Sequence, residues 1–155
     1  MSPQGQQGAT GAIGPQGPAG VVSSAYGGLF NNAVQTITTT DTTTTVEFAN
    51  QMPNLDVTYG TNSITVANAG TYKVDYTLAG TSGTNTSTTV AVQNNGANVA
   101  GTTSTRQIGD NPVVFTNSSI VNLSAGDVLT LGITSTVPAT ITTQPTTTLT
   151  VFRLS

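Results

Sequence analysis

The side chains that most often do chemistry are missing from this chain. It has no histidine and no cysteine, which removes the commonest general base, the best nucleophile and the usual transition-metal ligands. Six carboxylates remain: Asp41, Glu47, Asp56, Asp75, Asp110 and Asp127. Asp41 and Glu47 lie around a threonine run, and Asp110 sits in the turn-forming stretch Gly109-Asp110-Asn111-Pro112. No acid–base pair stands out among them. Carboxylate and amide oxygens suit a hard cation such as calcium, but this spacing matches no defined calcium loop. These residues read as turn caps and solvated surface groups. The expectation is a protein that is not an enzyme, with no catalytic residue, no metal site and no cofactor.

The rest of the charge inventory narrows the partners. Only Lys73, Arg106 and Arg153 are basic, and charged residues make up 6% of the 155 positions, against roughly a quarter in ordinary soluble domains. Three scattered cations cannot track a phosphate backbone, so nucleic acid is excluded as a partner. No window approaches 18 apolar residues, so no membrane insertion is expected. The start carries no charged segment followed by an apolar one, so no secretory leader is expected there. Thr, Ser, Asn and Gln must solvate the surface, and such a surface fits an extracellular setting.

Two kinds of element must position these residues. The first is the stretch GQQGATGAIGPQGPAG, residues 5 to 20, with glycine at every third position: Gly5, Gly8, Gly11, Gly14, Gly17 and Gly20. Only glycine fits the crowded axis of a collagen triple helix, which accounts for the strict period. Pro15 and Pro18 occupy the second triplet position and no proline occupies the third, where hydroxyproline usually sits. That fits an organism without proline hydroxylation, such as a bacterium. Pro3-Gln4 continue the register while Ser2 stands where glycine belongs, so residues 1–20 read as the remnant of a longer stalk.

The second element begins at Val21 and runs to Ser155. Runs rich in Val, Ile, Thr, Tyr and Phe alternate with Gly, Asn and Pro clusters, the pattern of short antiparallel strands. In GTYKVDYTLAG, residues 70 to 80, Tyr72, Val74, Tyr76 and Leu78 face one way and Lys73, Asp75 and Thr77 the other. Val90 and Val92 share a face, and Asn95-Gly96 follows as the favoured two-residue hairpin turn. Further strands are expected over 25–30, 34–38, 44–48, 56–59, 63–66, 113–123, 127–134 and 147–154. TTTDTTTT, residues 38 to 45, reads as a polar loop and strand edge. No segment carries a helical stripe. About ten short strands predict an all-β sandwich or jelly roll.

The order of these signals resembles the C1q/tumour-necrosis-factor-like jelly roll. YGTNSITVANAGTYKVDYTL (59–78) is similar to that family's central signature, and VAVQNNGANV (90–99) to the hairpin that follows. Leu123, Gly126, Asp127 and Leu131 fit its Leu-x-x-Gly-Asp-x-(hydrophobic)-x-Leu motif, with Asp127 bonding neighbouring backbone amides in the turn. LTVFRLS (149–155) falls where the family places its last strand. A collagen-like stalk running into such a head most resembles the collagen-like exosporium glycoproteins of spore-forming bacteria (the BclA type). The resemblance implies a homotrimeric head that nucleates the stalk at the tip of a spore-surface filament, and it matches Thr10 to stalk threonines that carry O-linked sugar. The anchoring segment of that family is not seen here.

Elementary physics leads to the same assembly. Five unhydroxylated triplets cannot hold three chains together by themselves, whereas a trimeric head raises the local concentration of the stalk ends. Surplus hydrophobes would then line the three-fold axis, the candidates being Tyr26, Leu29, Phe30, Tyr76, Val151 and Phe152, each of which also suits a monomer core. Asn85, Asn117 and Asn122 begin Asn-x-Ser/Thr triplets, as chance allows in so Ser/Thr-rich a chain. The leading reading is a structural surface protein, a trimeric filament tip on a spore exosporium or appendage that mediates adhesion and shielding and contacts a host-surface protein or glycan. The alternatives are a phage tail-fibre or receptor-binding tip, and a ligand-binding head of the C1q kind.

Overall fold

The computed structural model describes residues 1–17 and 24–155. Residues 1–17 are exposed and form no regular element. The sixth glycine of the period, Gly20, and the expected junction between residues 20 and 21 lie outside the described residues. The regular elements of the described chain are all strands: β1 (Tyr26–Phe30), β2 (Thr36–Thr39), β3 (Thr44–Thr45), β4 (Asn50–Gln51), β5 (Val57–Gly60), β6 (Ser63–Val66), β7 (Gly70–Ser82), β8 (Thr86–Asn94), β9 (Ala97–Asn98), β10 (Ser104–Ile108), β11 (Val113–Leu123), β12 (Val128–Ser135), β13 (Ala139–Thr143) and β14 (Thr148–Arg153).

They pair into two antiparallel sheets. The first runs β2-β13-β7-β14-β1-β4 and the second β10-β8-β12-β6-β5, with β3 beside β12 and β9 beside β8. Strand β7 organises the first sheet. β11 covers one of its edges from Gly70 to Gly80, while β14 and β13 share the other edge in succession. The break between β13 and β14 has a local cause. Pro145 has no amide hydrogen to give a ladder, so the chain bulges there, with the Gln144 amide donating to Ala79 O at 2.8 Å.

Period-two alternation decides which face of each strand is covered. Tyr72, Val74, Tyr76 and Leu78 of β7 pack against Ile64, Val90, Val92, Leu129, Leu131 and Ile133 of the second sheet in one continuous core. Toward the far end, where β7 turns into β8, the core changes chemistry. Thr39, Thr88 and Ser135 are buried there; the Thr39 hydroxyl donates to Ser135 Oγ at 2.8 Å, and Ser135 Oγ lies 2.9 Å from Thr88 Oγ1. Such pairing offsets the cost of taking these hydroxyls out of water.

The all-β jelly-roll expectation holds, but the described residues form fourteen strands rather than about ten. The additions are the two-residue pieces β4 and β9 and the polar strands β10 and β13, whose threonines mask any alternation. The strand expected over 44–48 stops at Thr45. The Val46 amide still donates to Leu131 O, and beyond it side chains replace the ladder: the Phe48 amide donates to Asn62 Oδ1 and the Ala49 amide to Asn31 Oδ1, all at 2.8 Å. The Asn95-Gly96 turn forms as expected, with φ of 49° and 87°.

Candidate interaction surface

The register of the first sheet assembles a row of side chains on its outer face. Tyr26 of β1 is opposite Phe152 of β14, Phe152 is opposite Lys73 of β7, and Lys73 is opposite Ile120 of β11. Leu55 joins the near end of the row through a bridge to Tyr26. Directly opposed residues project to the same face, and this face is solvated. Leu55 is 45% exposed, Tyr26 38%, Phe152 46% and Ile120 66%. The row crosses the sheet beside the point where the chain enters the head. Its one charge, Lys73, pairs with Asp75 at 3.4 Å on the same strand.

Farther from the entry, the same face turns hydroxylic. Phe30, half-buried, aligns with Thr148, Thr77 and Thr116, and the Thr77 and Thr116 hydroxyls are 3.3 Å apart. Apart from the Lys73–Asp75 pair, the outer face is therefore apolar near the entry and hydroxylic beyond it.

The six hydrophobes considered for a three-fold axis separate by phase. Tyr26, Phe30 and Phe152 project outward. Leu29, Tyr76 and Val151 point into the sandwich and belong to the core of a single chain, because they occupy the opposite phase of their strands; they offer no surface to a neighbour. The Tyr76 hydroxyl lies 2.7 Å from Thr102 O and 3.1 Å from Val90 O, and burial pushes its pKa up to about 12. Ile120 and Leu55 complete the row and were not among the six. Ile120 is adjacent to Val121, so alternation alone leaves its facing open, and Leu55 lies in a loop.

Strand β1 owes its close packing to Gly27 and Gly28. A Cβ on Gly27 would meet Val57 Cγ2 at 2.5 Å on the core side, and one on Gly28 would meet Met52 Sδ at 2.5 Å on the outer side. The segment from Asn50 to Leu55 covers the free edge of β1, with Met52 N donating to Gly28 O and Leu55 N to Tyr26 O, each at 2.9 Å. That covering protects a strand that would otherwise recruit other chains.

The polar candidates fall at the two ends of the sandwich. Near the entry, the Asp127 carboxylate accepts from the Ser124 amide at 2.9 Å, from Asn94 Nδ2 at 2.9 Å and from Asn95 Nδ2 at 3.0 Å. These bonds, the backbone one from Ser124 first, hold its pKa below the ordinary carboxylate value. Asp127 is thus a clip between two turns. A hollow of about 450 Å3 lies between β2 and β3 and is lined mainly by threonine, with Glu47 its single ionisable residue. Among the described residues no three His, Cys, Asp or Glu side chains gather as metal ligands, and no helix is long and apolar enough to cross a membrane. Thr10 is exposed, and a Cβ at Gly5, Gly8, Gly11, Gly14 or Gly17 would meet nothing within 4 Å in this single chain.

Known structures share the head's architecture. Murine APRIL superposes with a TM-score of 0.62 at 14% identity, over 84% of this chain and 99% of that one. Eiger TNF from S. frugiperda gives 0.58 at 15% identity, over 85% and 92%. The fold is the tumour-necrosis-factor-like jelly roll. No protein-family model matches the chain, and no curated protein matches it in sequence.

Proposed function

We propose that the jelly-roll head is a homotrimer that gathers three collagen-like strands at its entry and carries them as the tip of a surface filament, on a spore exosporium or a comparable appendage, with adhesion and shielding as its role. The observation that supports this most is the exposed row Leu55–Tyr26–Phe152–Lys73–Ile120 on one face of the first sheet, apolar except for Lys73. An apolar band lying beside the chain's entry has a hydrophobic reason to be covered, and a second and third copy would cover it while bringing the stalk ends together. The stalk supports the same reading from another side. Nothing in one chain requires glycine at Gly5, Gly8, Gly11, Gly14 and Gly17, whereas the axis of a triple helix does. The absence of basic clusters and of an acid–base pair leaves structure and adhesion as the work such a molecule does.

Phe152→Asp tests the proposal. The side chain is solvated in a single chain, so the change leaves the monomer fold in place, while three carboxylates forced into a dry interface would separate the copies. Light scattering should then fall from three chain masses to the 15.6 kDa of one. A variant that keeps the mass of the unmodified protein places the interface elsewhere.

A further inference from the structure

We propose that the cleft between the β7–β8 and β10–β11 turns, at the end of the head opposite the chain's entry, binds an uncharged glycan unit through the side chains of Asn85, Gln107, Asp110 and Asn111. The proposal rests on the reading of the head as an adhesive tip, and its test is separable from the test of that reading.

The cleft has a volume of about 360 Å3, with Gly109 and Val113 also in its lining. That is room for a sugar residue, at the lower end of small-molecule pockets. Its turns are fixed, since the Ser82 amide donates to Gly109 O at 2.8 Å. A Cβ on Gly109 would run into Asn85 Oδ1, the end of an exposed side chain. The amide of Asn85 therefore lies close against the backbone at the cleft.

What marks this place is that several side chains with unspent hydrogen-bonding capacity line one cleft. Several asparagines elsewhere in the head are committed to the fold: Asn31 to Glu47 O, Asn54 to Val57 O, Asn94 and Asn95 to Asp127, and Asn117 to Thr103 O. The side chains of Asn85, Gln107, Asp110 and Asn111 make no hydrogen bond to any described residue, yet they converge on one cleft. Amides supply donors and acceptors together, and a carboxylate supplies two acceptors. Two adjacent hydroxyls of a sugar can donate to the Asp110 oxygens while its other hydroxyls meet the amides. Val113 gives the ring's C–H face an apolar contact.

The same set disfavours other ligands. An anion would face Asp110 with no lysine or arginine in the lining. An apolar molecule would strand the amides unpaired. A divalent cation would find a single carboxylate where it needs several hard oxygens.

The test is an NMR titration of the full chain with the methyl glycosides of glucose, galactose, mannose and N-acetylglucosamine, each taken to tens of millimolar. At least one should shift the side-chain amide signals of Asn85, Gln107 and Asn111 saturably while leaving Asn94 and Asn95 still. Asp110→Asn should weaken that binding about ten-fold or more, the loss of a charge-assisted bond, and Asn111→Ala should weaken it as well. Both positions are exposed, and an unchanged melting temperature confirms that the fold is kept. No saturable shift at these amides with any of the four glycosides overturns the proposal, as does binding that both variants leave intact. A monomeric protein that still binds at the cleft defeats the trimer and spares the glycan site; a trimer with a silent cleft does the reverse.

Discussion

Asp127 shows how a residue in a chain this poor in charge can hold structure by hydrogen bonding alone. Its carboxylate joins the turn after β11 to the hairpin turn after β8. Because those bonds favour the ionised form, its folded pKa is depressed. The stabilisation is therefore fully present above the unfolded carboxylate value of about 4 and is lost as pH falls through the lower folded value. Thermal melts between pH 2 and pH 7 should show a decline in melting temperature on the acid side that Asp127→Asn largely flattens; an identical decline in the variant would remove the clip from the account. Tyr76 makes a complementary case in the core. Its hydroxyl serves the buried carbonyls of Thr102 and Val90, so Tyr76→Phe strands them at a cost of about 1–3 kcal/mol. Urea unfolding measures this, and a variant as stable as the parent would mean that the carbonyls find other partners.

Among the elements, what alternation made legible and what it hid have a common cause. β7 announces itself because Tyr72, Val74, Tyr76 and Leu78 alternate with Lys73, Asp75 and Thr77, residues that differ sharply in polarity. β10 and β13 do not, because threonine serves a buried and a solvated face equally well: Thr143 is buried and Thr142 exposed in one strand. The apolar row was half-legible. Alternation could place Phe152 opposite in phase to Val151, but only strand pairing, which joins residues more than a hundred positions apart, shows that Tyr26 and Phe152 are neighbours. The distal cleft was hidden for the same reason: Asn85 and Asp110 line one cleft only because two sheet-to-sheet turns, β7–β8 and β10–β11, end together. Close approach between strands gives a test of the topology. A Cβ on Gly80 would meet Thr142 O at 2.9 Å and Ile141 Cγ2 at 3.1 Å. The first of these is backbone and cannot swing aside, so Gly80→Ala should destabilise by about 1–3 kcal/mol in denaturant unfolding. A neutral result would show that β13 can yield at that crossing.

At the scale of the whole molecule the two ends of the head have different chemistry. The entry end carries the apolar row and the Asp127 clip; the far end carries hydroxyls inside and unspent amides outside. A trimer built on the outer face of the first sheet would use the former to hold three stalks and present the latter to the surroundings. The stalk's glycine period and the head's exposed row are then two consequences of one assembly, since each is unexplained in a single chain. Sedimentation equilibrium of the full chain at micromolar concentration tests that claim most directly. A single species at three times the 15.6 kDa chain mass is the predicted result, and a monodisperse species at 15.6 kDa would contradict it.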